Sequence, residues 1–249
     1  MSPILSSLTG GSAKAFGLTN ASSIVRNGLI LNLDPSVTAS YPGTGTIWYD
    51  LSGNNNNFNI VAGAYNSSGP KYMDFNGSFG MAKNTADISL SGNVTYCLWT
   101  RVKALGDWRT LTRSYTADHQ VIIEFNSNRV GMYDNDSNAF IDSGALQNNI
   151  PGNGTSTWAF LHFRFSTSSP FYQLSWNDTP STIRGSITNA ASQYNRGFGA
   201  IGGYHGESQT PSVGSQFWGD IGLFLTYNRV LTTDEMTQNY NYFKSRFGL

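Results

Sequence analysis

Short apolar stretches recur along the chain from Gly28 onward, and Gly, Asn, Pro and Ser residues interrupt them. Apolar runs of this length between turn-forming residues are typical of β-strands in a sandwich. The predicted strands are Leu29–Leu33, Lys71–Phe75, Val94–Val102, Val121–Phe125, Arg129–Tyr133, Trp158–Phe165, Tyr172–Trp176, Gly199–Gly202 and Phe217–Tyr227. In the last strand, alternation predicts one apolar face opposite Asp220 and Thr226, made of Phe217, Ile221, Leu223, Leu225 and Tyr227.

One helix is predicted at the C-terminal end of the sequence. Thr232 and Glu235 have the spacing of a capping box, and apolar residues recur at helical spacing from Met236 to Phe243. Basic residues follow in the last turn, and Gly248 stands where a C-terminal cap belongs. We expect this helix to lie on the sandwich with its aromatic stripe inward.

The first residues differ in composition from the rest of the chain. Residues 1–24 are rich in Gly, Ser and Ala, with scattered apolar side chains, which is typical of a flexible arm. We predict an N-terminal arm over residues 1–24 for docking or assembly, followed by a single domain over residues 25–249. The predicted contact residues of this assembly arm are Ile4, Leu5, Leu8, Phe16 and Leu18.

Charge is scarce and balanced in this sequence. Charged residues make up 12% of the chain, with 15 basic and 15 acidic side chains and no run of like charge, so no nucleic acid partner is expected. No stretch has the pattern of an export signal or a transmembrane span, so neither ordinary export nor membrane insertion is expected. Cys97 is the single cysteine, which excludes an internal disulfide.

Several segments resemble the concanavalin A-like lectin/glucanase superfamily, in particular its laminin-G-like jelly-roll domains. The opening strand GLILNLD, the turn WYDLSGN, the hairpin YMDFNG and the strand VTYCLWTRV occur in the order of that family. The closing segment Phe217–Leu249 is similar to the family's last strand, Tyr-Asn-Arg-x-Leu turn and terminal helix. One departure is Asn76 in the hairpin, where the family has Asp, which weakens a metal or ligand role for that turn.

The resemblance implies an all-β fold, a two-sheet antiparallel jelly-roll sandwich with one C-terminal helix. A glycosidase on this fold needs two facing carboxylates. The three glutamates are Glu124, Glu207 and Glu235, and none has a second glutamate at the spacing of the family's catalytic motif. The three histidines form no metal-binding motif, and His162 lies in an aromatic strand as an ordinary sheet residue. We therefore expect no enzyme activity, no catalytic residue and no cofactor.

Calcium is the one metal that the sequence leaves open. Asp134, Asp136 and Asn138 offer oxygen ligands at alternating positions, like the start of a calcium loop. The sixth position is Ala139 instead of Gly, and the twelfth is Ala145 instead of Glu. A tight hairpin turn explains the same residues and is favoured over a calcium site.

Two loops combine aromatic and polar side chains in the way that sugar-binding sites do. One loop contains Trp108 and Arg109, and the other contains Tyr204, His205 and Glu207. These residues are the predicted glycan contacts. The competing explanation is that aromatic residues in a sandwich with 14% aromatic composition fill the core.

Two functions from different classes follow from these features. The arm, the scarcity of charge and the resemblance favour a non-catalytic virion structural protein of a bacteriophage, located on the capsid or tail surface as a capsid decoration or tail-associated protein. Its partners would be other virion proteins or copies of itself in a homo-oligomer. The alternative is a glycan-binding adhesin or lectin module on a tail fibre or a cell surface, with a cell-surface glycan as partner.

Overall fold

Alternating apolar and polar positions produce strands that pair antiparallel in two stacked sheets. The computed structural model describes residues 23–61, 63–76, 81–82, 87–90, 92–103, 109–114, 119–124, 129–134, 139–146, 150, 157–177, 182–188, 197–203 and 216–249. Within these ranges the chain forms sixteen strands and a C-terminal helix. The predicted all-β antiparallel sandwich with one C-terminal helix is therefore confirmed.

Sheet A is centred on the last strand of the chain. Its members are β1 (Leu29–Leu33), β4 (Ala64–Asn66), β5 (Tyr72–Asn76), β7 (Val94–Val102), β12 (Ala159–Phe165), β13 (Tyr172–Trp176), β14 (Gly185–Ile187) and β16 (Trp218–Tyr227). The strand order is β14-β13-β12-β7-β16-β5-β4. Strand β16 pairs with β7 on one side, and on the other side with β5 in its first half and β1 in its second half.

Sheet B faces sheet A across the main core. Its members are β2 (Ile47–Trp48), β3 (Phe58–Ile60), β6 (Met81–Ala82), β8 (Arg109–Arg113), β9 (His119–Glu124), β10 (Arg129–Asp134), β11 (Ala139–Leu146) and β15 (Ala200–Ile201). The strand order is β11-β10-β9-β8-β15-β6-β3-β2. Strands β8 and β15 are direct neighbours, and this pairing positions the candidate site.

Aromatic side chains fill the space between the sheets. Trp48, Phe58 and Phe75 are fully buried there together with many aliphatic residues. Phe198 and Phe224 stack with their ring centroids 5.5 Å apart. Burial of such large side chains is the main favourable term in folding, at about 25 cal/mol per Å² of apolar surface.

The helix α1 (Thr233–Phe243) and the 3₁₀ turn that follows it (Lys244–Phe247) form a third layer on the outer face of sheet A. The predicted capping box is present, with the Thr232 hydroxyl and the Glu235 carboxylate each accepting from the other residue's backbone N–H. Gly248 ends the turn in the left-handed conformation, at φ 80°. The indole of Trp99 stacks on Phe247 at 4.5 Å between ring centroids, so sheet A is buried on both faces.

The predicted faces of β16 were wrong in one respect. Ile221 and Phe224 point into the core between the sheets, whereas Leu223 and Leu225 lie under the helix. The reason is a register shift between Ile221 and Leu223, which changes the alternation of faces halfway along the strand. Thr226 consequently pairs with inward-facing residues of β1 and β7 and is fully buried.

The Asn-rich segment after β2 is a turn held by its own hydrogen bonds. The Asp50 carboxylate accepts from the backbone N–H groups of Asn32, Ser52 and Asn56 at 2.8–3.0 Å. The side chains of Asn54 and Asn56 donate to backbone carbonyls of β1. These polar groups satisfy one another and tie the turn to the first strand.

The chain before β1 is anchored to the helix. Ile24 and Val25 are buried, and the Val25 N–H donates to Asn239 Oδ1 at 2.9 Å. The Tyr227 hydroxyl donates to the Val25 carbonyl at 3.1 Å. The predicted arm contacts lie outside the described residues, and they are Ile4, Leu5, Leu8, Phe16 and Leu18. Across the described ranges, no helix combines the length and the hydropathy needed to cross a membrane.

Candidate functional site

The described residues that flank the two predicted glycan-binding loops lie at the same corner of sheet B. Strand β8 begins at Arg109, and its antiparallel neighbour β15 ends at Ile201. The Gly202 N–H then donates to the Leu111 carbonyl at 2.8 Å, which extends this pairing toward Gly203. The described residues that flank the two loops are therefore adjacent, a meeting that the sequence did not indicate.

A third segment reaches this corner where the chain passes from sheet B to sheet A. Gln216 forms a parallel bridge with Thr110, and the Phe217 N–H donates to the Gly202 carbonyl at 3.0 Å. Arg109 Nη1 donates to the Gln216 carbonyl at 3.0 Å. We refer to Arg109, Thr110, Gly203, Gln216 and Trp218 as the β8 corner.

Of the predicted glycan contacts, only Arg109 belongs to the described residues. Trp108 precedes it directly in sequence, and Tyr204, His205 and Glu207 follow the corner residue Gly203. The structure therefore locates one predicted residue, the end of the first loop and the start of the second.

Trp218 is the exposed aromatic of the β8 corner. Its side chain is 39% exposed, and the Arg109 guanidinium carbon lies 5.8 Å from its ring centroid, within cation–π range. The adjacent Phe217 is fully buried in the core. Sequence reasoning missed Trp218 as a site residue, although two adjacent aromatics on a strand cannot both face the core.

Gln216 carries the second feature that the sequence did not indicate. Its side chain has no exposed surface, and within the described part of the chain neither Oε1 nor Nε2 has a hydrogen-bond partner. The bridge to Thr110 places Gln216 beside the first residues of β8. A buried amide without partners is unusual in a folded protein.

The outer face of sheet A carries a cluster of paired charges rather than an open acid pair. Asp74 and Asp220 are cross-strand partners, and Lys103 Nζ binds both carboxylates at 2.9 and 2.7 Å. Arg101 also binds Asp220, whose side chain is fully buried. Burial raises the pKa of the Asp220 carboxyl, although Lys103 and Arg101 lower it. These contacts match a structural ion network.

The interior titratable groups lie far from solvent. His162 is fully buried in β12, with Nδ1 3.3 Å from the Ser175 hydroxyl, as expected for a sheet residue. Burial, aided by the charge of Arg164, lowers the pKa of His162 to about 3. Burial raises the pKa of the Cys97 thiol to about 12, which makes it a poor nucleophile.

Of the possible calcium ligands, the structure describes only Asp134. Asp134 ends β10 and pairs with Ala139 of β11, so the segment between them links two antiparallel strands, as a hairpin requires. Asp136 and Asn138 lie outside the described residues. Within the described ranges, no three His, Cys, Asp or Glu side chains converge on a possible metal position. Calcium binding stays the less favoured alternative to a plain hairpin turn, and the described residues do not test it.

No protein-family model and no curated protein sequence matches this chain. Solved structures do share its fold. Domain 4 of AbnA, a GH43 extracellular arabinanase from Geobacillus stearothermophilus in complex with arabinotriose, is similar with a TM-score of 0.61 and 17% identity. The likeness covers 85% of this chain and 98% of that domain.

Two further similar structures come from larger proteins. Trypanosoma rangeli sialidase in complex with sialic acid has a TM-score of 0.58 and 10% identity, and 89% of this chain covers 34% of the sialidase. The binding domain of botulinum neurotoxin DC in complex with SialylT has a TM-score of 0.57 and 13% identity. The likeness covers 87% of this chain and 51% of the toxin chain. At such low identities these likenesses define the fold class, an antiparallel β-sandwich, and nothing finer.

Proposed function

We propose that this chain is a carbohydrate-binding module of the concanavalin A-like sandwich type, and that the β8 corner binds the sugar. The observation that carries the proposal is the exposed indole of Trp218 beside Arg109, where the first predicted sugar-binding loop ends and the second begins. This proposal corresponds to the glycan-binding alternative among the two functions drawn from the sequence.

The chemistry of the β8 corner suits a sugar. An exposed indole offers a flat apolar surface to the C–H face of a pyranose or furanose ring, and neighbouring polar groups bind its hydroxyls. Trp218 supplies the ring, and Arg109 supplies a cation that the Gln216 carbonyl holds in place. The scarcity of charge across the chain favours a partner recognised by hydrogen bonds rather than by a strong electrostatic field.

Binding without hydrolysis is part of the proposal. Glycoside hydrolysis requires two carboxyl groups facing each other across the scissile bond. Asp74 and Asp220 are engaged by Lys103 and Arg101, and Glu235 is bound by Arg229 and by the helix cap. Each of these carboxylates has a structural task in the described part of the chain, which supports a binding role.

The similar structures supply the first ligands to test. Domain 4 of AbnA is described with arabinotriose and is covered almost completely, and the sialidase is described with sialic acid. Arabino-oligosaccharides and a sialylated trisaccharide therefore represent neutral and acidic ligands. The prediction of a virion structural protein draws no support from these likenesses and stays a prediction.

Calorimetric titration of the full chain with these oligosaccharides tests the proposal. We expect Trp218→Ala and Arg109→Ala each to weaken binding about tenfold or more, because the ring and its neighbouring cation contact the ligand. Tyr242→Ala is the matched control, since Tyr242 is similarly exposed, at 43%, but lies on the helix. Equal affinities of Trp218→Ala and the control, or no binding to any sugar in a glycan array, would contradict the proposal.

A further inference from the structure

The helix layer covers only part of the outer face of sheet A. Along β16 the layer begins at Gly222, where an added Cβ would lie 2.5 Å from the ring of Phe247. Before Gly222, alternation directs Trp218 and Asp220 to this same face, because Ile221 points into the core between the sheets. Solvent reaches this half of the face, since Trp218 is 39% exposed.

Three further side chains continue this open half on the neighbouring strands. Asp74 of β5 is the cross-strand partner of Asp220, and its side chain is 32% exposed. Lys103, whose side chain is 33% exposed, follows β7 and donates its backbone N–H to the Trp218 carbonyl at 2.9 Å. Tyr72, two residues before Asp74, is partly exposed. We refer to Trp218, Lys103, Asp74 and Tyr72 as the open strip.

The open strip is longer than one sugar ring. Trp218 pairs with Asn76, which lies four residues along β5 from Tyr72. At the usual rise of a strand, this separation is about 14 Å. A glycan whose first ring lies on Trp218 therefore reaches Asp74 and Lys103 with its following rings.

Lys103 and Asp74 are held in place and keep capacity for hydrogen bonds. The Lys103 ammonium binds the carboxylates of Asp74 and Asp220, so in the described part of the chain two of its three N–H donors are engaged. Asp74 Oδ1 is buried against Lys103, which leaves the exposed surface of this carboxylate on the side of Oδ2. Sugar hydroxyls donate and accept, so they match both groups. Since the ion pairs already fix these side chains, binding costs little side-chain entropy.

The charges around the open strip cancel. Arg101 and Lys103 carry the positive charges, Asp74 and Asp220 carry the negative ones, and these groups are in direct contact. An acidic sugar would bring a further carboxylate next to Asp74, whereas a neutral sugar meets no such repulsion. The open strip therefore fits a neutral glycan chain.

We infer that the open strip binds the second and third rings of a neutral oligosaccharide whose first ring stacks on Trp218. The residues that act beyond Trp218 are Asp74 and Lys103. This inference rests on the proposed function and deepens it, because it makes the ligand a chain of several sugar rings rather than a single terminal sugar.

The inference predicts that affinity rises with the length of the glycan. We expect the wild type to bind arabinotriose about tenfold or more tightly than arabinose. Asp74→Ala should reduce this ratio to about threefold or less, because the additional rings lose the exposed carboxylate, while the affinity for arabinose stays that of the wild type. Asp74→Ala keeps the fold, since Asp220 still binds Arg101 and Lys103. Titrations followed by ligand-detected NMR measure these affinities.

Asp142→Ala is the matched control. Asp142 is also an exposed carboxylate in an ion pair, at 43% exposure and 3.3 Å from Arg129 Nε, but it lies on sheet B. This variant should leave both affinities and their ratio unchanged. Trp218→Ala should weaken the binding of arabinose and arabinotriose alike, because each places a ring on the indole. If a glycan array identifies another neutral glycan, the same ratio is measured with that glycan and its terminal monosaccharide.

The outcomes separate this inference from the proposed function. Equal wild-type affinities for arabinose and arabinotriose, or an unchanged ratio in Asp74→Ala, would overturn the inference and leave the proposed function in place. A reduced ratio in Asp142→Ala would overturn it as well, since the effect would not belong to the open strip. Tighter wild-type binding of the sialylated trisaccharide than of arabinotriose would overturn the assignment to neutral glycans. A wild-type chain that binds neither sugar and no glycan of the array contradicts the proposed function itself.

Discussion

At the scale of single residues, burial decides the properties of the interior titratable groups His162, Cys97 and Tyr172 more than neighbouring charges do. His162 illustrates this, because its ring lies edge-on to Phe160 at 4.5 Å between centroids and has no exposed surface. Its pKa of about 3 follows first from desolvation and second from the nearby charge of Arg164. The sequence identified His162 as a sheet residue, but the size of this effect depends on the layer that the helix adds above β12.

The buried histidine predicts a pH dependence of stability. Between pH 6.5 and pH 3 the unfolded chain takes up a proton at His162 that the folded chain does not, so the free energy of unfolding falls as the pH falls. The slope approaches about 1.4 kcal/mol per pH unit below pH 6. Urea denaturation at pH 6.5 and pH 5 should show a loss of about 1.5–2 kcal/mol in the wild type.

His162→Gln is expected to remove most of this slope, since the new side chain is neutral at every pH. The comparison with the wild type isolates His162, because every other titratable group is common to both proteins. Glu235, whose pKa Arg229 lowers to about 2, contributes stability that is lost only at more acidic pH. Identical slopes for both proteins would refute the assignment.

At the scale of elements, local patterns predicted many of the strands. They did not predict the register shift within β16 or the strand β8 that borders the candidate site. Strands β1, β7 and β13 have the predicted bounds, because their apolar runs end at turn-forming residues. Strand β8 was not among the predicted strands, and its first residue, Arg109, was assigned to a loop, because the strand consists of Arg and Thr residues with a single Leu. Its burial comes from neighbouring strands, which no local pattern contains.

Strand β16 shows a second limit of local patterns. Gly222 lies at its register shift, where an added Cβ would meet the rings of Phe247 and Trp158 within 3.2 Å. The shift moves the following leucines from the core to the helix layer. The glycine is explained by the close approach of a ring that is distant in sequence, which no local pattern contains. Alternation along the strand therefore assigned Leu223 and Leu225 to the wrong face.

The charge cluster that joins β5, β7 and β16 predicts an asymmetry between its two carboxylates. Asp220→Ala removes the buried partner of both Arg101 and Lys103, and we expect a loss of about 3–5 kcal/mol in the free energy of unfolding. Asp74→Ala is the matched control, because Asp74 is 32% exposed and, among the described residues, binds Lys103 alone, which limits the expected loss to about 1 kcal/mol. Urea denaturation measures both variants, and similar losses would count against a structural role for the cluster.

At the scale of the whole molecule, the sandwich brings together residues that are far apart in sequence. The C-terminal helix and its caps could be predicted because each depends on a continuous segment, and the fold class could be predicted from the resemblance of several segments to a known family. The β8 corner could not, because Arg109, Gly203 and Gln216 meet only through the pairing of β8 with β15 and the crossing between sheets. The sequence predicted the two glycan loops independently of each other. The strand order shows that the residues flanking them are neighbours.

The two ends of the described chain also meet, and this contact predicts where the folded domain begins. Ile24 and Val25 pack under the helix, Gln238 Nε2 donates to the Ser23 carbonyl, and Arg229 Nε donates to the Asn27 carbonyl. A chain lacking residues 1–28 should therefore be less stable than one lacking residues 1–22 by about 3 kcal/mol or more, because it loses two buried side chains and several hydrogen bonds. Thermal and urea denaturation of both truncated chains measures this difference. Equal stabilities would mean that the first strand, and not the segment before it, closes the helix layer.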